Sequence, residues 1–466
     1  MSRALSVPRL VPWDLPPPDA LQRDPGFADA LKGIYAYSDR PRSGQEKQLS
    51  RVRKLDRVRA LLELMGSPQA HFATILVAGT KGKGSIAAQL ASILQAAGHR
   101  VGRYTQPHLY SYCERTWAIG RYIKQDELVA ILRDVQPALH AIEMRAPELG
   151  LLSTFDVGTA LSLEHFVRCG VEIAVVEVGV GGAGDSTNVL DPILGLIGPV
   201  DIDHVETLGA DLGAIAREKA GISRAGVDLL VAPQQEEATA GIRAVAGVVG
   251  ARLYELAPES LRIDHDGCAG EFEIDGPGGR IGALSTPLAG RFQRQNAAMA
   301  VSAAQMLVRQ GWTVSDEAIR AGLAGVRWPG RFQTAVSDPL TVVDGAHNPA
   351  AARALAAAIR ECLGSRPVTL VLGMSVEKNA ASTIAELGPY VERVIATRAR
   401  HPRSRSADEL AQLARSAGVE ASVATTPGEA VRSAWAVQQP NGATVVAGSL
   451  FLVGDVLEWL SNEARG

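Results

Sequence analysis

Short, continuous apolar runs alternate with amphipathic helical segments along most of this chain, and this alternation constrains the fold more than any other feature. From residue 72 onward the runs include "TILVAG", "VGRYT" and "VEIAVVEVG", and helical segments such as "SIAAQLASILQAAG" lie between them. Strands that are apolar on both faces need cover on both faces, which helices provide in a parallel sheet. The pattern therefore predicts an α/β domain with a P-loop-type parallel sheet.

A second series of the same kind begins after "RWPGRFQ". Its apolar runs are "LTVVDG", "VTLVLG", "RVIATR", "ASVAT" and "ATVVAGS", and helical segments separate them, which predicts a doubly wound, Rossmann-like domain. Pro329 and Gly330 break any continuing helix or strand. We therefore predict an N-terminal domain over 1–327 with a proline-rich arm, a linker over 328–337 and a C-terminal domain over 338–466. Between the two series, "GCAGEFEIDGPGGRIGALS" predicts a small β segment.

Charge and cysteine usage restrict the class of protein. The net charge of the 466 residues is −3, so no overall basic field favours nucleic acid or an anionic membrane as a partner. No run of about 18 apolar residues occurs, which predicts a cytoplasmic protein. The cysteines Cys113, Cys169, Cys268 and Cys362 lie far apart without paired spacing, so we expect neither a zinc site nor a disulfide.

The stretch "VAGTKGKGSIAAQLASIL" places a glycine-rich loop between a predicted strand and a predicted helix. Backbone amides approach an anion closely where no Cβ intervenes, and a helix N-terminus adds partial positive charge. The loop therefore predicts a site for a nucleoside triphosphate, with Lys83 at the terminal phosphates and Ser85 at Mg²⁺. A tight turn without a ligand is the alternative, which the strand and helix context disfavours. The loop consists of Gly79, Thr80, Lys81, Gly82, Lys83, Gly84 and Ser85.

Further candidates follow two later apolar runs. Glu177 ends the strand in "VEIAVVEVG", and His204 follows the run before "DIDH". Carboxyl ends of parallel strands face the ligand crevice, so both side chains are candidates for Mg²⁺. Lys219, in "EKAGI", is either an ordinary surface lysine or a desolvated, neutral amine that adds CO₂ to become a carbamate.

The chain resembles the folylpolyglutamate synthases and bifunctional dihydrofolate synthases, which are members of the Mur ligase superfamily. The resemblance covers most of the chain, except for its first 25 or so residues and 248–284. The loop also differs from the form GxxxxGK[ST], because Gly84 separates Lys83 from Ser85, as in amide ligases of the Mur type. The motifs that carry the resemblance are "LDRVRALLELMGSP", "VAGTKGKGS", "YTQPHL", "TFDVGTA", "VEVGVGG", "DSTNV", "DHVETLG", "IAREKAGI", "LAGRFQRQNAA", "WPGRFQ", "DGAHNP", "HPRS" and "GSLFLVGDV".

The resemblance implies roles for individual residues. The glycine loop and Lys83 match the ATP phosphate site, Lys219 matches a carbamylated lysine, and His347 lies where the incoming glutamate meets the reaction centre. Further nucleotide contacts are Asn296, Arg331 and Asp344. Metal ligands are Ser85, Glu177 and His204, with Gln106 at a second Mg²⁺. Segments that hold the pterin-bearing substrate are Ser153, Thr154, Phe155 and Asp156, together with Gly184, Asp185 and Ser186.

Five residues depart from the family pattern. Asp156 stands in place of a glutamate, Phe292 in place of a histidine and Asn379 in place of an aspartate. Gln106 stands where a serine is usual in the family, and its carbonyl oxygen can still bind a hard cation. Ala183 replaces an arginine next to the predicted substrate segment.

The chemistry that the resemblance implies is ATP-driven formation of an amide between glutamate and a folate acceptor, through an acyl phosphate and with two Mg²⁺ ions. The partners are then ATP, L-glutamate and a pterin or folate, bound by a monomer. One alternative is a Mur-type ligase for another carboxylate, although only 78 residues precede Gly79 and a separate UDP-sugar domain does not fit there. The other alternative is a nucleotide-binding protein without ligase activity.

Overall fold

A computed structural model of the chain describes residues 8–16, 18–19, 24, 26–37, 53–203, 205–263 and 267–463. The predicted metal ligand His204 lies outside these residues. No helix within them is long and apolar enough to cross a membrane.

The strands form two large sheets and one small sheet. In chain order they are β1 (Arg9–Leu10), β2 (Ala73–Ala78), β3 (Val101–Tyr104), β4 (Thr116–Ala118), β5 (Arg121–Tyr122), β6 (Ile173–Glu177), β7 (Pro192–Ile197), β8 (Asp228–Val231), β9 (Arg252–Glu255), β10 (Leu261–Ile263), β11 (Phe272–Gly276), β12 (Gly279–Leu284), β13 (Gln333–Asp338), β14 (Leu340–Val343), β15 (Val368–Leu372), β16 (Arg393–Ala396), β17 (Glu420–Val423) and β18 (Ala443–Ala447).

The α-helices cover the faces of these sheets. In chain order they are α1 (Phe27–Tyr35), α2 (Lys54–Leu64), α3 (Lys83–Ala96), α4 (Gln125–Arg145), α5 (Thr154–Arg168), α6 (Val205–Leu208), α7 (Leu212–Ala220), α8 (Glu236–Val249), α9 (Arg291–Arg309), α10 (Asp316–Gly325), α11 (Pro349–Leu363), α12 (Ala380–Leu387), α13 (Ala407–Ser416), α14 (Pro427–Val437) and α15 (Leu450–Glu463).

The first large sheet has the strand order β5-β4-β3-β6-β2-β7-β8-β9. The strands from β3 to β9 in this order pair in parallel, and β4 and β5 add an antiparallel edge. Separate apolar clusters pack on its two faces, one around α4, α5 and α7 and one around α3, α9 and α10. The predicted parallel sheet with helices on both faces is confirmed.

The second large sheet has the order β1-β13-β14-β18-β15-β16-β17. The strands from β14 to β17 in this order pair in parallel, as predicted for a doubly wound domain. The sequence pattern missed antiparallel β13, which occupies part of the segment predicted as the linker 328–337. The N-terminal arm also joins this sheet, because β1 pairs with β13. The arm therefore reaches from the first domain to the second.

Strands β11 and β12 form within the segment predicted as a β excursion, and β10, which precedes that segment, pairs with β11 to complete a small antiparallel sheet. Its apolar side chains Phe272, Ile274 and Ile281 are buried in the same cluster as α9. The small sheet therefore belongs to the first domain and packs beside α9, the helix that contains Asn296.

Helix starts in the second half of the chain follow local sequence rules. Asn348 caps α11 by accepting the amide of Ala351, and Pro349 occupies the first helical position, where a missing amide hydrogen costs nothing. Because β14 ends only five residues before Asn348, this cap fixes the course of the turn that carries Asp344 and His347.

The prediction that the cysteines form no disulfide is wrong for one pair. Cys268 lies before β11 and Cys362 lies near the end of α11; they are bonded, with Cα atoms 4.5 Å apart, although their sequence separation is 94. Spacing along the chain could not reveal this pair, because only packing of the small sheet region against α11 brings the two residues together. The bond joins the two domains, while Cys113 and Cys169 are free thiols.

We expect Cys268→Ser or Cys362→Ser to lower the free energy of unfolding by about 2–4 kcal/mol, since the unfolded chain regains the freedom of a long closed loop. Denaturant unfolding without reductant measures the change, with Cys169→Ser as the control at a free thiol. Thiol titration of the unfolded, unreduced protein should detect Cys113 and Cys169 alone. Detection of all the cysteines as thiols would contradict the disulfide.

Candidate active site

The carboxyl ends of three neighbouring strands meet at one edge of the first sheet. Strand β2 lies between β6 and β7. The glycine loop follows β2, Glu177 is the last residue of β6, and the segment 198–203 follows β7. Ligands of open parallel sheets bind at such an edge, where the strand order reverses. The topology therefore brings the predicted phosphate loop and the predicted metal ligand Glu177 together.

The loop needs glycine because other groups approach its main chain closely. Gly79 has a φ of +140°, and a Cβ there would lie 3.1 Å from the Gly198 backbone. Gly82 has a φ of +77°, and a Cβ there would overlap the carboxamide of Asn296. A Cβ on Gly84 would lie 2.7 Å from the ring of Trp328. Asn296 and Trp328 thus enclose the loop.

The first amides of α3 point out of the helix at this loop. Helix α3 begins after Gly82 without a side-chain cap. Within the described part of the chain, the amides of residues 83–85 have no acceptor, whereas those of Thr80 and Lys81 donate to the carbonyl oxygen of Pro199. Free amides at a helix N-terminus together with the helix dipole favour an anion. This arrangement suits the phosphates of a nucleotide.

Lys83, Glu177 and Gln106 lie side by side next to the loop. Lys83 Nζ is 3.9 Å from Glu177 Oε1, and the backbone amide of Gln106 donates to Glu177 Oε2 at 3.0 Å. Glu177 is only 5% exposed, and burial raises the pKa of its carboxyl while the Lys83 ammonium opposes that rise. The site therefore places one cation and one buried carboxyl where a phosphate and a divalent metal would meet.

Lys219 is buried, not a surface lysine. Its Nζ donates to the carbonyl oxygen of Gly79 at 3.0 Å, and the residue is 4% exposed. Burial, and then repulsion by the Lys83 ammonium, lowers the pKa of Lys219 to about 7. A substantial fraction of this amine is consequently neutral near pH 7, directly beneath the glycine loop.

Arg331 and Asp344 extend the site onto the second domain. Asp344 is buried and accepts the amides of Phe332 and Ala346, each at 2.8 Å. Burial raises the pKa of the Asp344 carboxyl, and the neighbouring Arg331 guanidinium opposes that rise. The guanidinium carbon Cζ of Arg331 also lies 5.9 Å from the centre of the Trp328 ring, and this ring contacts Gly84 of the loop. These residues therefore link the second domain to the predicted nucleotide site.

Asp156 and Ser186, predicted to face the substrate, are fully buried and bonded to protein groups. Asp156 Oδ2 lies 3.1 Å from Arg57 Nη2 and accepts the backbone amide of Ser153 at 2.8 Å. Its other oxygen, Oδ1, accepts the Ser186 hydroxyl at 2.6 Å. Both residues have 0% exposure. Their contacts therefore hold the segments 153–156 and 184–186 together; neither side chain is open to a ligand.

Asp185 is also buried, whereas Ser153, Thr154, Phe155 and Gly184 are only partly enclosed or exposed. Phe155 stacks on Tyr104 with ring centres 6.0 Å apart, and Lys54 Nζ lies 5.3 Å from the centre of its ring. Thr154 donates its hydroxyl to the carbonyl oxygen of Ile34. Gly184 donates its amide to Glu218, and Asp185 accepts the amides of Val180 and Thr187. Phe155 therefore supplies the half-buried aromatic surface of this region.

His347 lies at the contact between the domains. Its Nδ1 is 2.8 Å from the carbonyl oxygen of Gly345, and burial lowers its pKa to about 4, so the imidazole is neutral at pH 7. Next to it, Asn348 donates to Asp203 at 2.8 Å, and Lys378 pairs with the same carboxylate at 3.1 Å. Asp203 follows β7, so these contacts hold His347 close to the edge of the first sheet.

The donors at the site fit a magnesium ion shared with phosphates. Among the residues that the structure describes, no three or more His, Cys, Asp or Glu side chains are grouped to hold a metal. Ser85 and Glu177 supply oxygen donors at the loop, and His204 lies outside the described residues. Mg²⁺ prefers oxygen, keeps several waters and takes few protein ligands beside a phosphate. The donor set therefore suits Mg²⁺ bound together with a nucleotide.

Sequence reasoning missed three features of this region. Trp328 lies in the predicted linker but contacts Gly84, Arg57 is a fully buried partner of Asp156, and Lys378 crosses the domain contact to Asp203. In the sequence, Arg57 and Trp328 lie inside quoted motifs, whereas no quoted motif contains Lys378. Which charge is buried against which partner depends on packing that no local pattern encodes.

Comparisons with known proteins find related domains along most of this chain. Residues 77–304 match the Mur ligase middle domain, and residues 330–450 match the Mur ligase glutamate ligase domain. Folylpolyglutamate synthase of Lacticaseibacillus casei is 34% identical over 336 residues, which cover 70% of this chain and 76% of that protein.

Solved structures are similar over nearly the whole chain. Mycobacterium tuberculosis folylpolyglutamate synthase complexed with ADP superposes with a TM-score of 0.85 and 30% identity, covering 93% of this chain and 98% of that one. A bifunctional folylpolyglutamate synthase/dihydrofolate synthase with Mn, AMPPNP and L-glutamate bound gives a TM-score of 0.76 at 30% identity, covering 87% and 94% respectively.

We expect Asp156→Asn to lower the free energy of unfolding by about 3–5 kcal/mol, because it removes the negative charge that pairs with the buried Arg57 guanidinium. Urea unfolding measures the change. Asp134→Asn, which breaks an exposed pair with Arg168, is the matched control and should cost about 0–1 kcal/mol. Equal costs for the two variants would contradict the structural role assigned to Asp156.

Proposed function

This chain belongs to the family of folylpolyglutamate synthases and dihydrofolate synthases, and we propose that it joins L-glutamate to dihydropteroate, to a reduced folate polyglutamate, or to both, through an acyl phosphate. Membership makes the chain an ATP-dependent ligase that uses a divalent metal. The observation that best supports the proposed reaction is the convergence of a glycine loop, a cation, a buried carboxyl and a buried lysine at one sheet edge, next to charged residues of the second domain.

The nucleotide is proposed to bind along the glycine loop. The amides at the start of α3 meet its phosphates, and Lys83 holds the terminal phosphoryl group. Asn296 lies against Gly82, so it is proposed to contact the nucleotide from the side of α9. Arg331 and Asp344 are proposed to complete the site when the domains close, which excludes water from the phosphoryl group.

The reaction is proposed to proceed in two steps. An acceptor carboxylate oxygen attacks the γ-phosphorus of ATP, the bond to the bridging oxygen breaks, and ADP leaves with that electron pair. The glutamate amine then attacks the acyl carbon, phosphate leaves, and the nitrogen loses a proton to give the amide. Catalysis rests on positioning and on neutralising the charges that meet at the phosphoryl group.

Ser85, Glu177 and His204 are proposed to hold Mg²⁺. When bound, the ion neutralises phosphate charge and polarises the transferring group. Glu177 is fixed for this purpose by the Gln106 amide and by its place at the end of β6. The second magnesium ion stays a prediction.

Lys219 is proposed to be carbamylated. Its neutral amine would attack CO₂, form an N–C bond and release one proton, which yields an anion. Burial keeps the amine partly neutral near pH 7, and the Lys83 ammonium is close enough to depress the Lys219 pKa. The same cation would attract the carbamate, so the modification turns a repulsive pair into an attractive one.

His347 is proposed to lie beside the incoming glutamate. Its neutral imidazole is held by the Gly345 carbonyl oxygen, and the neighbouring Asn348 reaches Asp203 across the domain contact. The segments 153–156 and 184–186 are proposed to hold the pterin-bearing end of the acceptor, with Phe155 as the stacking surface. Asp156 and Ser186 then position these segments from within.

Three sequence predictions stay predictions: the domain boundary at 328–337, the cytoplasmic location and the monomeric state. Strand β13 begins at Gln333, which supports a linker that ends near Phe332.

The acceptor is identified by measuring phosphate release with ATP, Mg²⁺ and glutamate, and by comparing dihydropteroate with tetrahydrofolate. We expect release to require glutamate and at least one of these acceptors, with a glutamylated product detected by mass spectrometry. Reactions without glutamate are the control. Release that depends on neither acceptor would overturn the folate assignment.

We expect Lys219→Ala to lower turnover by roughly 10²-fold or more while ADP binding survives, because the variant removes an anion from the reaction centre and, at the glycine loop, only the hydrogen bond to the Gly79 carbonyl oxygen. Lys32→Ala, at an exposed position, is the control.

Carbamate formation needs the neutral amine, so wild-type activity should fall as the pH drops below about 7, and bicarbonate should restore activity lost in CO₂-free buffer. A Lys219→Ala variant as active as the parent would contradict the carbamate.

A further inference from the structure

The main chain and the side chain of Gln106 lie in different parts of the site. Its backbone amide donates to Glu177 Oε2 at 3.0 Å and so lies at the edge of the first sheet, beside the glycine loop. Its carboxamide lies beside the glycine turn that follows β6. A Cβ on Gly179 would be 2.6 Å from Gln106 Nε2, 2.9 Å from Asp185 Oδ2 and 3.0 Å from Phe155 Cζ. Gln106 thus connects Glu177 with the region of Phe155 and Asp185.

Gln106 Nε2 is a buried donor without a partner. It is shielded from water and donates to no acceptor in the part of the chain that the structure describes. A buried donor left unpaired costs about 1–3 kcal/mol, and native sites keep such groups where something else completes them. The nearby Asp185 Oδ2 already accepts the amide of Val180. The donor is therefore one that a bound molecule could complete.

The position of this donor specifies the chemistry of the partner. On one side are Lys83 and Glu177, where the phosphoryl group is transferred; on the other is the half-buried ring of Phe155. A molecule that packs on the ring and reacts at the phosphoryl group must place its reacting end between them. An amide N–H donor there matches an anionic oxygen and does not match a metal ion, which repels N–H donors.

We propose that Gln106 Nε2 donates a hydrogen bond to the carboxylate of the acceptor that attacks ATP, and that its side chain does not ligate a metal. This inference rests on the proposed ligase function. A serine, which is usual at this position in the family, carries its hydroxyl on Cβ, close to the main chain and Glu177. The glutamine side chain is two atoms longer, so its carboxamide lies farther from Glu177 and closer to the region proposed to hold the acceptor.

The test compares Gln106→Glu with Gln106→Met by measuring acceptor binding, using calorimetry with ADP present and dihydropteroate or tetrahydrofolate as the titrant. Both variants keep the length of the side chain; the first replaces the donor with a negative charge and the second removes it. We expect the acceptor Kd to rise about tenfold or more for Gln106→Met and further for Gln106→Glu. Gln412→Glu, at an exposed position on α13, is the control for added charge.

Mn²⁺ binding, followed by electron paramagnetic resonance with ADP, separates this role from metal ligation. We expect the Mn²⁺ affinity of both Gln106 variants to match that of the parent. Tighter Mn²⁺ binding by Gln106→Glu, or an unchanged acceptor Kd in both variants, would overturn the inference and leave the ligase function standing. A parent protein that binds neither acceptor would overturn the proposed function as well.

Discussion

The close approach of the main chain around the loop after β2 is the constraint on which the rest of this site depends. Gly79 lies against Gly198, Gly82 against Asn296 and Gly84 against Trp328, so three parts of the chain converge where no side chain fits. This packing leaves the first amides of α3 free for an anion. It also places Lys219 under the loop, where burial makes a lysine partly neutral. One steric requirement thus sets both the proposed phosphate site and the unusual amine beside it.

Contacts between the domains tie this edge to the C-terminal sheet in several independent ways. Asp203 meets Asn348 and Lys378, the strand β1 of the arm pairs with β13, and the Cys268–Cys362 bond joins the small sheet region to α11. Such contacts hold His347 and Asp344 near the loop. A ligase that must bring an amine to an acyl phosphate before water reaches it benefits from this arrangement.

The segments predicted to hold the acceptor combine buried and open groups. The Arg57–Asp156 pair and the Ser186 hydroxyl fix the two segments from inside, while the half-buried ring of Phe155 lies beside the Gln106 carboxamide. A residue in a substrate motif can therefore act by supporting its neighbours. The burial of Asp156 separates these roles, which its position in the motif "TFDVGTA" could not do.

The sequence by itself determined both parallel sheets, the glycine loop between a strand and a helix, the small β segment and the family, because apolar periodicity and the positions of glycine residues are local patterns. It missed β13, the interdomain disulfide and the burial of Arg57, whose partners are distant in the chain. Only the tertiary structure decided that Lys219 is desolvated and that Gln106 points towards Phe155. Both facts depend on which segments pack together, since the environment of a side chain is created by residues remote in sequence.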